Sequence, residues 1–190
     1  MFKGLMRWVS SVTNKAPAPD RDEPLIREAT AINEFKEYLR SEIFNSPFVK
    51  PDARERVLHD LLSRQSLRKA LELSTDEKKK LGLNARMKIT KAHLEDLTPA
   101  AFAVDPKKAV RAIYHRAHGK YSRRSALARM QSAGITAYKP SSAADQRECA
   151  WCLGISGKII SITQDFDDLA EGNCTCEYCR CCLVAHMPLS

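Results

Sequence analysis

All seven cysteines of this 190-residue chain fall between Cys149 and Cys182. That crowding constrains the fold more than any other feature. A disulfide scaffold spreads its bridges over the structure it staples, whereas a metal site gathers its ligands. An odd number of cysteines cannot pair completely within one chain. They therefore read as reduced thiols around a metal, in a protein made in a reducing cytoplasm.

The spacing sharpens the expectation. Cys149-x-x-Cys152 is one knuckle, and after twenty-three intervening residues Cys176-x-x-Cys179 repeats it. Two such pairs supply the four sulfurs of a closed tetrahedral zinc site. One zinc ion is predicted on Cys149, Cys152, Cys176 and Cys179, with Cys181 as the first substitute. Cys174-x-Cys176 and Cys179-x-Cys181 are competing pairs, and Cys182 and His186 lie nearby. Four sulfurs leave no position for an activated water, so the ion is expected to be structural. Between the knuckles, Lys158 to Thr163 reads as a strand and Gly154 and Gly157 as the turn before it. That order is the order of a small zinc-ribbon or treble-clef-like unit. A thioredoxin-like redox role for Cys149 and Cys152 needs a helix beginning on the motif. Gly154 and Gly157 are expected to break one.

The rest of the chain reads as helical. At 44% hydrophobic and 28% charged the composition is globular, and no run of ~18 apolar residues suggests a membrane span. Lys3 and Arg7 interrupt the N-terminus in a way that does not suit a secretory signal. In residues 1–13, Phe2, Leu5, Met6, Val9 and Val12 recur at helical spacing, predicting an amphipathic helix that docks on a partner subunit or, in the competing reading, packs on the chain's own bundle. Residues 14–24 hold three prolines and read as a semi-rigid tether.

Residues 25–134 are predicted to form a basic helical body, and 135–190 the zinc module. Leu25, Ala29, Ile32, Phe35, Leu39 and Ile43 make one stripe, ended by Asn45-Ser46-Pro47. Pro51-Asp52 opens a second helix, with Val57, Leu58, Leu61, Leu62 and then Leu67 and Leu71 at helical spacing. Ser74 to Glu77 reads as a capped start, and Asp105-Pro106 opens a helix carrying Val110, Ile113 and Tyr114. A further segment, Ser122 to Ala133, is expected to stop at Gly134.

The formal net charge is +8, and the basic excess lies in the middle: residues 51–130 hold 19 Lys and Arg against 9 Asp and Glu. The cysteine region has Arg147, Lys158 and Arg180 against seven carboxylates, too few cations for a DNA-reading finger. The cluster Arg111, His115, Arg116, His118, Lys120, Arg123, Arg124 and Arg129 around Tyr114 and Tyr121 leaves nonspecific DNA contact open. Two tyrosines at helical spacing are more often core, and neither His115 nor His118 has a carboxylate close in sequence. No Ser-His-Asp set, paired-carboxylate site or phosphate-cradling glycine loop is visible, so a non-enzyme is expected.

The segment from Ala126 through Ile162, followed by Cys176-Glu-Tyr-Cys-Arg-Cys-Cys-Leu, resembles the C-terminal module of Mu F-like phage head morphogenesis proteins. Asp145, Arg147, Cys149, Cys152, Gly157, Lys158, Cys179, Arg180 and Cys181 fall on that pattern, and Cys176 stands where the family usually has histidine. The resemblance covers roughly residues 122–183 and implies a helix leading into a short strand, then the metal knuckles. It further implies a minor head protein of the virion, associated with the portal or head–neck subunits in head assembly or genome delivery and assembled in the bacterial cytoplasm. The contrasting expectation is a zinc-containing nucleic-acid-binding regulator that uses the basic body.

Overall fold

The computed structural model describes residues 23–63, 71–86 and 89–187, with side chains from Thr30 onward. The docking helix predicted for 1–13, nearly all of the tether, and Leu67 lie outside the described residues. Among those described, the chain is mainly helical and ends in a small three-stranded sheet.

Helix α1, Glu23–Phe44, stops where the polar Asn45-Ser46-Pro47 step follows it. Its Leu39 and Ile43 are fully buried and Phe35 is half-buried, but Ile32 on the same stripe is exposed. A 3-10 turn at Pro51–Ala53 leads into α2, Arg54–Ser63, which buries Val57, Leu58 and Leu61. Leu71 does not continue this helix. It is 75% exposed and its carbonyl accepts from Lys91 N, beside an antiparallel bridge of Glu72 to Thr90. Periodicity cannot distinguish an apolar residue in a helix from one on an exposed extended segment.

Helix α3, Thr75–Lys80, begins with the expected capping box, Ser74 accepting from Glu77 N while Glu77 accepts from Ser74 N. Helix α4, Lys91–Asp96, starts with the same reciprocal pattern in a form that sequence reading missed, His93 Nδ1 taking the place of a carboxylate opposite Thr90. After α5, Pro99–Val104, the longest helix runs from Pro106 to Ser132 as α6. The two segments expected on either side of Ser122 are thus one continuous rod. Its first turn is capped by Asp105, whose carboxylate accepts from Lys107 N and Lys108 N, and Gly134 follows its end at φ +73.

Helix α6 joins the two parts of the molecule. Its first half places Val110, Ile113 and Ala117 in the core shared with α1 and α2, and its second half gives Leu127 to a second core with the cysteine region. The two cores are therefore strung along one helix, and the boundary expected near residue 134 falls just after its end.

Strand β1, Ala137–Ser141, follows Gly134, in keeping with the short strand implied by the resemblance. It is the central strand. It pairs antiparallel with β2, Ile160–Ser161, and with β3, Cys182–Ala185. The strand expected over Lys158 to Thr163 is thus only two residues long. Between β1 and β2 lies α7, Ala150–Ile155, and between β2 and β3 lies α8, Phe166–Ala170. Gly154, expected to break a helix, sits inside α7, and Gly157 at φ +77 makes the turn after it. No helix among the described residues is long and apolar enough to cross a membrane.

Candidate metal centre

The sulfurs converge from two stretches of backbone. After β1 the chain turns back through Ala144 at φ +52 and enters α7 with Cys149 as its N-cap. Cys152 then falls one turn into the helix and is fully buried. The second stretch follows α8, where Cys174 N and Asn173 N both donate to Ala170 O and Gly172 adopts φ +72. This reversal carries Cys174, Cys176, Cys179 and Cys181 back against α7 before the chain enters β3.

Two groups result. The sulfurs of Cys149, Cys152, Cys174 and Cys176 all lie within 4.8 Å of one another, and so do those of Cys152, Cys179 and Cys181. Cys152 belongs to both. Its sulfur is 3.5 Å from that of Cys174 and 3.8 Å from those of Cys176 and Cys179, while Cys149 and Cys174 are 4.0 Å apart. A tetrahedral zinc ion with Zn–S bonds of about 2.3 Å separates its sulfurs by about 3.8 Å, so the spacing suits thiolate coordination.

Of the four ligands expected from spacing, Cys149, Cys152 and Cys176 enter the four-sulfur group. Cys174 is the fourth member there, and Cys179 joins Cys181 in the second group. The two-residue spacing of Cys176 and Cys179 suggested a shared knuckle, but their sulfurs, each 3.8 Å from that of Cys152, fall in different groups. Cys182 is exposed, its thiol directed to the carbonyl of its neighbour Arg180. His186 lies beyond β3, its backbone N–H donating to Ala137 O, and it belongs to neither group.

The surroundings favour anionic sulfur at two points. Burial alone would raise the Cys149 thiol, but N–H groups of Cys152 and Thr175 directed at it, with the Cys176 thiol, bring it down to about 6. Cys179 is brought down to about 5, chiefly by the Cys181 thiol and with help from the Arg123 guanidinium. Cys174 is pushed up to about 12, chiefly by burial, which also raises the Cys152 thiol. Cys181 is raised foremost by its contact with the Cys179 sulfur. Crowded sulfurs cannot all ionise against one another without a cation between them. The donor set and its crowding therefore fit a thiophilic metal ion.

Two arginines fasten the cluster. Arg123, on α6, is 5% exposed and makes two bonds to Asp167 Oδ1, at 3.0 and 2.5 Å. It also donates to the carbonyls of Cys179 and Cys181 and lies over the Phe166 ring. Gly119 admits this approach: a β-carbon there would stand 3.3 Å from Cys179 O and 3.1 Å from the Arg123 guanidinium. Arg180 donates through both terminal nitrogens to Asp145, which also accepts from Arg147 N. Arg180, with that backbone bond, holds the Asp145 carboxyl well below the usual carboxylate range.

Sequence reading overlooked this use of the basic cluster. Arg116 and Lys120 both bond Glu42 on α1, Arg123 pairs with Asp167, and Arg124 with Asp165. Tyr114 and Tyr121 are half-buried at the edge of the body and not core residues: Phe35 meets Tyr114, His118 and Tyr121 edge-on, and His115 stacks on Tyr178 from the cysteine loop.

Fold and site together define a helical protein closed by a small, cysteine-clustered α+β module with the means to hold a metal. Comparison with protein-family models, characterised proteins and solved structures returns no match to this chain.

Proposed function

We propose that this is a phage minor head protein, a non-enzymatic virion component held at the portal or head–neck region, with a structural zinc ion on Cys149, Cys152, Cys174 and Cys176. The observation that carries the reading is the pairing of Asp145 with Arg180 across the sulfur cluster. These residues belong to the two halves of the resembled pattern, which lie thirty-five positions apart in sequence. Their ion pair gives the Asp-x-Arg-x-Cys-x-x-Cys and Cys-Arg-Cys segments a shared structural purpose. A four-sulfur set closes the coordination sphere of zinc, which suits a clamp and not a hydrolytic centre.

The surroundings support a structural role as well. A cleft of about 480 Å³ beside the cluster is lined by Arg116, Lys120, Arg124, Asp165 and Asp167 among others. Those five charges are engaged in ion pairs within the chain. The same pairing argues against the nucleic-acid regulator, because four cations of the basic body already face carboxylates. Nonspecific contact with packaged DNA would fall to the remaining cations.

The decisive experiment is purification of phage particles followed by quantitative mass spectrometry. A fixed copy number per particle is expected. Absence from particles, with free protein binding DNA in a steeply salt-dependent manner, would overturn the proposal in favour of a regulator.

A further inference from the structure

We propose that the cysteine cluster is a two-ion thiolate centre, in which the sulfur of Cys152 bridges one divalent ion to a second ion held by Cys179 and Cys181. The inference rests on the reading that the four-sulfur group binds zinc, and extends it to sulfurs which that ion leaves over.

The argument begins with the position of Cys152. It is fully buried and is the one residue common to both sulfur groups. One tetrahedral ion takes four donors, so an ion served by Cys149, Cys152, Cys174 and Cys176 has no place for Cys179 or Cys181. Yet the Cys179 sulfur stands 3.8 Å from that of Cys152, a separation of the kind two ligands of one zinc ion show. Cys181 is 3% exposed and completes the second triangle. A thiolate has more than one lone pair and can serve two thiophilic ions, which places Cys152 at the shared corner of two coordination polyhedra.

Charge supports the same count. Four thiolates around one divalent ion carry a net charge of −2. Adding two thiolates and a second divalent ion leaves that net charge unchanged, whereas two further thiolates without the ion would double it. The second ion has three sulfurs and needs one more donor. A cavity of about 360 Å³ reaches Cys179 and Cys181 and has room for a water molecule as that fourth ligand. The first ion is thus fully enclosed by sulfur and the second has one exchangeable position, so the second should be released first.

Native mass spectrometry of the full chain, purified with reductant, loaded with zinc and desalted, gives the ion count directly. Two zinc ions per chain are expected. Cys181→Ser should hold one, while Cys182→Ser, altering the exposed thiol outside both groups, should hold two. One ion in the unaltered chain would overturn the inference and leave the structural zinc site standing. No ion would overturn both. Should Cys181→Ser fail to fold, cadmium NMR of the unaltered protein decides: two resonances split by coupling through a shared sulfur are expected, and a single resonance or two uncoupled ones would overturn the bridge.

Discussion

In the helical body, thirteen buried aliphatic and small side chains from α1, α2, α6 and the segments between them form one continuous core. The core of the cysteine module has only seven, of which Leu127 comes from α6 and two are Cys152 and Cys181. Its strands are five, two and four residues long, and its helices six and five. Elements so short bury little apolar surface, and small modules make up the deficit with cross-links or metals. The body has an apolar core of ordinary extent, whereas the module has few apolar side chains beyond its sulfurs and the face of α6 that it shares. On the proposed reading, a single chain thus contains one region whose stability follows from hydrophobic periodicity and another whose stability follows from coordination chemistry.

The sharpest way to break this comparison is to remove the proposed zinc ion. Structural zinc sites contribute on the order of 10–16 kcal/mol of apparent binding free energy that is also folding free energy. A strong chelator with reductant should therefore unfold β1 through β3 and leave the pairing of α1 with α6 protected. Amide exchange resolved by segment would check it, and equal loss of protection in both regions would show one cooperative unit.

Arg123→Ala should have the next largest effect. It removes a buried guanidinium and leaves Asp167 without its partner, a class of change that costs about 3–5 kcal/mol. The loss should appear in the module first, because Asp167, Phe166, Cys179 and Cys181 are all on that side. Denaturant titration followed by Trp151 fluorescence, in a Trp8→Phe background, would measure it.

Gly119→Ala isolates the joint between the regions. In an exposed helix this change would stabilise by up to about 1 kcal/mol. Here the new methyl meets the backbone carbonyl of Cys179 as well as the flexible end of Arg123. A net destabilisation of about 1–3 kcal/mol is expected, the range for inserting a methyl into a packed site. A stabilised variant would mean that the module yields at this contact.

The smallest effect belongs to the body and concerns pH. Burial holds His93 below its ordinary value, so the unfolded chain binds more protons than the folded one between those two values. Stability should accordingly be full above the ordinary histidine range and decline as pH falls through it. Protonation would also take away the acceptor that Nδ1 offers to Thr90 N. His93→Gln should flatten that part of the pH profile, as measured by thermal unfolding at several pH values. A profile unchanged by the substitution would assign the titration elsewhere.

Much of the body was legible because helices obey local rules. The end of α1 after Phe44, the capping box at Ser74 and Glu77, the opening of α6 at Asp105-Pro106 and the stop at Gly134 are all set within a few residues of themselves. What failed there were inferences about continuity: Leu71 lies outside α2, and two expected helices are the single α6. The concentration of thiols after residue 148 likewise fixed the kind of chemistry available, since sulfur donors in that number select a thiophilic ion wherever they meet.

Which sulfurs meet was a tertiary decision. Spacing favoured Cys176 with Cys179, but the reversal after α8 sets Cys174 beside Cys152 and takes Cys179 toward Cys181. The same holds for Arg123, indistinguishable in sequence from the cations around it until α6 packs on the module and leaves it facing Asp167. Local backbone preferences are encoded within a turn or two of chain, so sequence determined the helices and the donor type. Ligand sets and buried ion pairs join residues up to dozens of positions apart, and their partners exist only once packing has fixed which distant groups share a site.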